Sequence, residues 1–231
     1  MTRRDRLLIK AAAQTVAWLA VQAVILCVAG GDWAWPQAWT YLGEVGVLSA
    51  AISVWLAFND PDLFASRMTS PFTKGQRPFD RVLIIVIGPL FLAWLALCGV
   101  DARRFQWSSV PTWAQVLGAV AIAGGMLLAW RTFRANTFAA PQVRIQAERG
   151  QTVVTTGPYR YVRHPMYLGA AVYFIGTPLA LGSLWGLVGS ALLSLGLALR
   201  ALGEEKVLRE GLPGYEDYMK QTRWRIAPGI W

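Results

Sequence analysis

Six apolar runs, separated by short polar or basic stretches, constrain this chain more than any other feature. They cover roughly 8–29, 37–58, 82–100, 113–133, 166–181 and 184–202. About 20 apolar residues are needed to cross the hydrocarbon core of a bilayer as a helix. In that medium the backbone must satisfy its own hydrogen bonds, which leaves runs of this length helical. The expected fold is therefore all-α: a multi-pass transmembrane helical bundle of five to six spans, counting a C-terminal helical hairpin. The run 166–181 is short and holds Gly176 and Pro178, so it either crosses incompletely or kinks. Residues 1–133 form the N-terminal spans. Residues 134–231 form a C-terminal region made of a polar loop, the hairpin and an amphipathic tail.

Composition agrees. The 231 residues are 55% hydrophobic and 15% charged, against about 25% charged in soluble globular domains. Twelve tryptophans suit a protein with two wet interfaces, where indoles settle. The net charge of +9 does not point to nucleic acid, because the basic residues fall in clusters between apolar runs. That is how membrane topology is encoded. Clusters at Arg3, Arg4, Arg6 and Lys10, in the loop 59–81 (Arg67, Lys74, Arg77, Arg81), in the segment 134–164 and in the tail place those regions and both termini in the cytoplasm. Pro61, Pro71, Gly75 and Pro78 should break any helix in the loop 59–81. The opposite turns are poor in basic residues apart from Arg103 and Arg104. Gly30-Gly31-Asp32-Trp33 is a poor cleavage site, so the first run is read as a retained span.

Other chemistries are absent from the sequence. Cys27 and Cys98 both lie in apolar runs and behave as small hydrophobes. A single histidine leaves no His-based zinc site, and no metal is expected. No dinucleotide fingerprint, phosphate-binding loop or nucleophile elbow occurs. Gly118, Gly124 and Gly125 in the fourth run permit close helix packing.

Three features can carry chemistry. The first is the stretch Gly157-Pro158-Tyr159-Arg160-Tyr161-Val162-Arg163-His164-Pro165-Met166-Tyr167-Leu168-Gly169. Proline favours the first turn of a helix, so His164 falls at the cap, beside free backbone N–H groups and the positive dipole end. It either holds an anionic ligand group there or marks the inner membrane boundary. The second is Glu204-Glu205 at the exit of the last run. Acids at a helix C-terminus oppose the dipole, which suggests a use, such as binding a cation or a ribose hydroxyl. The alternative is a solvated helix start with Arg200 pairing Glu204 at i,i+4. The third is the tail with Tyr215, Tyr218, Arg223-Trp224-Arg225 and Pro228-Gly229, whose aromatic residues either anchor at the interface or close a pocket from below. Anchoring is the reading the tail favours on its own.

Together these features resemble the isoprenylcysteine carboxyl methyltransferase family of integral membrane methyltransferases, to which phospholipid N-methyltransferases are related. The resemblance rests on Gly157 to Gly169, Glu204-Glu205, Tyr215, Tyr218 and Pro228-Gly229, and covers about the last ninety residues. It implies a pocket for S-adenosylmethionine at the cytoplasmic face and a tunnel for a lipophilic acceptor. By position, Gln146 and Gln151-Thr152-Val153-Val154 would line the cofactor. Tyr159, Arg163 and His164-Pro165-Met166-Tyr167 would hold its adenosine and amino-acid parts. Glu204 or Glu205 would bind it from the second hairpin helix, and Arg200 would face an acceptor carboxylate. One departure is visible: eukaryotic members carry Phe-x-His near Gln146, whereas Phe138 here is followed by Ala139-Ala140.

An ionised carboxylate acceptor needs no general base at pH 7. Alignment and desolvation of the two partners are then the protein's task. A carboxylate is therefore expected, with a thiol or a lipid amine as alternatives. Membrane lipid is the surrounding partner. An NADPH-dependent membrane reductase and a non-enzymatic membrane scaffold are the other readings of a fold like this. Pro165-Met166 favours the methyltransferase over the reductase.

Overall fold

Proline and glycine set the helix boundaries. A computed structural model describes residues 1–70, 72 and 76–231. Lys74, Pro71 and Gly75 of the basic loop lie outside the described residues. The long helices are α1 (Arg3–Gly30), α2 (Pro36–Asn59), α4 (Pro78–Gly99), α5 (Thr112–Ala135) and α7 (Gly186–Gly211), with α3 (Pro61–Arg67), α6 (Pro165–Leu181) and α8 (Tyr215–Gln221) shorter. Proline stands at the first turn of α2, α3, α4 and α6, where its missing N–H costs nothing. Thr2 and Asp5 form a capping box on α1. Gly31 and Gly182 end α1 and α6 with φ of 71° and 91°, a conformation that glycine adopts without strain. Pro61 and Pro78 thus open helices rather than break them.

Five of these helices are long and apolar enough to cross a membrane, and the protein is a multi-pass helical membrane protein. No strand occurs among the described residues. The sixth, α6, has 17 residues, about 25 Å at 1.5 Å per residue. It nevertheless runs the depth of the bundle. Its N-terminus lies against the tail, and its C-terminal turn meets the α4–α5 connection at the opposite end. There α4 continues as a π-helical turn, Val100–Phe105, whose buried Asp101 accepts hydrogen bonds from the hydroxyls of Ser183 (2.6 Å) and Ser108 and from the Trp185 N–H at 3.1 Å. The hairpin turn is locked onto a neighbouring helix, so α6 and α7 form a full antiparallel pair.

The tightest packing joins α5 to α6. A Cβ on Gly125 would lie 2.4 Å from the Gly169 carbonyl oxygen, and one on Gly118 would lie 2.6 Å from that of Gly176. Glycines seven apart on each antiparallel helix let the backbones touch. Gly124, expected to share this role, has open space instead.

The main core draws on both halves of the chain, including Leu26, Tyr41, Trp94, Ile122, Phe174 and Leu193. Exposed Trp33, Trp39, Trp107, Trp113 and Trp185 gather where the turns α1–α2, α4–α5 and α6–α7 meet, forming a belt at the end opposite the tail. Trp94 departs from that role: it is buried and donates to the Gly186 carbonyl at 2.8 Å. Both chain termini, α3, the segment 136–164 and α8 lie at the other end.

Candidate active site at the loop-rich end of the bundle

Glu204 and Glu205 were expected at a helix exit, but α7 runs on to Gly211, so both acids sit inside the helix, away from its unfavourable dipole end. Neighbouring residues on a helix point to different faces, and these two acids do different things. Glu205 is 3% exposed. Its Oε1 accepts from Arg163 Nε at 2.7 Å and lies 3.3 Å from His164 Nε2, and its Oε2 accepts from Arg225 Nε at 2.9 Å. The Arg163 Nη1 donates to the carbonyls of Thr222 and Arg223. The backbone N–H groups of Arg163 and His164 donate to the carbonyls of Trp224 and Arg225 at 2.9 and 2.8 Å. Glu205 therefore knots the start of α6, the last third of α7 and the C-terminal tail together.

Glu204 faces a cavity. Its only hydrogen-bond donor among the described residues is Tyr167, whose hydroxyl lies 2.6 Å from Oε2. His164 Nδ1 is 3.8 Å from the same oxygen, and the Glu204 side chain keeps 29% of its surface exposed. The His164 ring stacks on Tyr167, with centroids 5.3 Å apart and planes within 3°. His164 is the N-cap residue of α6, as the sequence indicated, but its ring makes no bond to its own helix.

The cavity lies between the segment 136–154, the start of α6, the end of α7 and α8. Its volume is about 90 Å³, and further space opens to solvent at its mouth. Of the residues expected to form a site, Gln151, Thr152, Val153, Val154, Tyr159, Arg163, His164, Pro165, Met166, Tyr167, Arg200 and Glu204 line it together. Gln146 and Glu205 are not on its wall. Gln146 is 2% exposed. Its Nε2 donates to the Phe138 carbonyl at 2.7 Å, its Oε1 accepts from Arg149, and its N–H donates to Gln151 Oε1 at 2.7 Å. It shapes the loop that presents 151–154 from behind.

Arg200 sits one turn before Glu204 on the same face of α7. The Arg200–Glu204 pair, the alternative reading of these acids, does not form. Arg200 Nε instead donates at 2.7 Å to Asp80, which is fully buried at the start of α4, and its Nη2 donates to the Pro141 carbonyl. Asp80 also accepts from Gln76 and from the Val143 N–H. This acid was missed in the sequence, although an aspartate entering an apolar run is itself a signal that it has a buried partner.

The tail tyrosines close the cavity and are not surface anchors. Tyr215 and Tyr218 are 4% and 3% exposed and line it. Tyr218 donates to the Tyr159 carbonyl at 2.8 Å. Asn136 donates to the Tyr159 hydroxyl. Burial pushes the hydroxyls of Tyr159, Tyr215 and Tyr218 well above the usual tyrosine range, so all three are neutral at pH 7. The Tyr215 hydroxyl is buried with no hydrogen-bond partner among the described residues, a costly arrangement unless something else meets it. No group of metal-ligating side chains occurs among the described residues.

The phospholipid methyltransferase family model matches residues 113–212, the span holding α5, the wall segment, α6 and α7. Over 183 residues the chain is 24% identical to the protein-S-isoprenylcysteine O-methyltransferase of Dictyostelium discoideum, covering 77% of this chain and 71% of that protein. The fold is a multi-pass helical membrane bundle, and both matches liken this chain to methyltransferases. They support the resemblance to the isoprenylcysteine carboxyl methyltransferase family.

Proposed function

We propose that the protein transfers a methyl group from S-adenosylmethionine to the carboxylate of a lipophilic, isoprenylcysteine-like acceptor at the loop-rich face, which the excess of basic residues there makes cytoplasmic. The carrying observation is the split of the acid pair: Glu205 is consumed by Arg163, His164 and Arg225, while Glu204 presents its carboxyl group to the cavity.

The residues present fit the cofactor. Glu204 offers a carboxylate to a cationic group. Tyr159, Tyr167, Tyr215 and Tyr218 offer aromatic faces, which attract cations and stack with a flat base, and the Tyr215 hydroxyl offers an unspent hydrogen bond. The cofactor supplies a methyl already activated on a sulfonium. The chain's own residues bind, orient and exclude water. Tyr167 fixes the Glu204 carboxylate, and His164 fixes the Tyr167 ring by stacking. Arg200 is tethered by Asp80, and its Nη1 makes no hydrogen bond among the described residues. We assign it to an acceptor carboxylate, with Asp80 as its standing partner. Orientation and proximity of this kind supply roughly 7–11 kcal/mol in the best intramolecular cases.

The family match to phospholipid methyltransferases favours a second reading, a lipid amine acceptor at the same cavity. One assay separates them. The purified protein is given labelled S-adenosylmethionine with an S-prenylated cysteine, the same molecule as its carboxamide, or phosphatidylethanolamine. Methyl transfer to the free acid alone is expected. Transfer to phosphatidylethanolamine but not to the acid establishes the second reading, and retention of label on the carboxamide as on the acid defeats the carboxylate assignment.

A further inference from the structure

The far side of the cavity wall carries a separate basic groove. The wall turn Gly157–Arg160 points Tyr159 into the cavity, while Arg160 and Tyr161 turn outward against the end of α5. There Arg131, Arg134, Arg160 and Tyr161 line an open groove with Leu128 and Pro158. No acid lines it. Among the described residues none of the three arginines makes an ion pair or a side-chain hydrogen bond, in contrast with Arg163, Arg200 and Arg225 nearby. The Arg134 guanidinium lies 4.9 Å from the Trp130 ring, which holds it in place.

Depth adds a second argument. Leu128, one turn into the spanning part of α5, is apolar. The arginines follow at the helix end, and Tyr161 is 66% exposed. Apolar stem, cationic heads and an exposed tyrosine occur in the order in which a bilayer passes from acyl chain to phosphate. At the far end, by contrast, Arg103 is spent on Asp32 and Arg104 on the Val28 carbonyl.

We infer that this groove binds the phosphate of an anionic phospholipid, with its acyl chains lying along α5. Three unneutralised guanidiniums suit a phosphate by shape as well as charge. The bound lipid would steady the wall turn from outside, because Gly157 packs on Ala135, where a Cβ would come within 3.0 Å of that side chain. The groove is separate from the methyl-transfer cavity and does not depend on that reading.

The test is lipid retention in detergent. The protein is exchanged with mixed phosphatidylcholine and phosphatidylglycerol, and bound lipid is counted by native mass spectrometry. Wild type should retain phosphatidylglycerol selectively. The variant Arg131→Gln/Arg134→Gln/Arg160→Gln should lose that selectivity by roughly a hundredfold, at a few-fold per arginine. A control, Arg3→Gln/Arg4→Gln/Arg6→Gln, removes equal charge from the same face and should retain it. Equal loss in the control overturns the groove in favour of general surface attraction. Displacement of the lipid by inorganic phosphate at matched concentration overturns the lipid as occupant. Thermal unfolding of the groove variant should match wild type, and if it does not, the single variants must each lose selectivity for the assignment to stand.

Discussion

Two adjacent glutamates, identical in chemistry, should respond in opposite ways to the same substitution. Glu205→Gln leaves Arg163 and Arg225 without a buried counter-charge, and removing one member of a buried ion pair costs about 3–5 kcal/mol. The thermal midpoint in detergent should fall clearly. Glu204→Gln keeps the Tyr167 hydrogen bond but removes the charge at the cavity. Its midpoint should stay near wild type while affinity for S-adenosylhomocysteine and the methyl-transfer rate fall at least about tenfold, the factor that 1.4 kcal/mol represents. Tyr215→Phe in the same calorimetric series should weaken binding with no loss of stability, since the hydroxyl has no partner to lose among the described residues. Loss of stability without loss of affinity at Glu204 would reverse the roles assigned to the pair. The sequence showed the acids and their distance from His164. It did not show which one faced the cavity, because that depends on the rotation of α7 about its own axis. Asp80 was missed for the same kind of reason: its partner Arg200 lies 120 residues away.

Among the helices, the α5–α6 seam is the most sharply determined. Glycine was legible there as packing evidence, yet the choice among Gly118, Gly124 and Gly125 depended on which face of α5 meets α6. Gly118 and Gly125 do, across from Gly176 and Gly169, and Gly124 does not. Gly125→Ala places a methyl against a backbone carbonyl that cannot retreat without parting the helices. Overpacking of this kind costs roughly 1–3 kcal/mol. Gly124→Ala should be neutral or slightly stabilising, because alanine is the better helix former by about 1 kcal/mol. Comparing the two midpoints checks the seam, and equal destabilisation by both would mean that α5 is rotated from the position described. The helix count was legible from the apolar runs. The crossing of α6 was not, because its 17 residues are short for a lone span. It reaches the far end because Asp101 of the neighbouring helix meets its turn.

At the scale of the whole molecule, six traversing helices return the chain to its starting side, so both termini, the cavity and the basic groove share one face. Far-end Arg103 and Arg104 count against a positive-inside reading, but the loop-rich face carries several times as many basic residues near its helix ends. The loop-rich face is therefore expected to be cytoplasmic. Single cysteines at Thr155, Ile230 and Ser109, all exposed, test this in a background with Cys27 and Cys98 replaced by alanine. Those two are buried in the bundle, and the replacement must first be shown to keep S-adenosylhomocysteine binding. A membrane-impermeant maleimide added to intact cells should label Ser109→Cys alone, and lysis should bring Thr155→Cys and Ile230→Cys up to the same level. Labelling of Ile230→Cys in intact cells with Thr155→Cys protected would mean an odd number of crossings between them and would remove α6 or α7 as a span. Labelling of both, with Ser109→Cys protected, would keep the six-helix path and invert it. The cavity would then face away from the cytoplasm, beyond reach of a cytoplasmic methyl donor, and the proposed reaction could not run there.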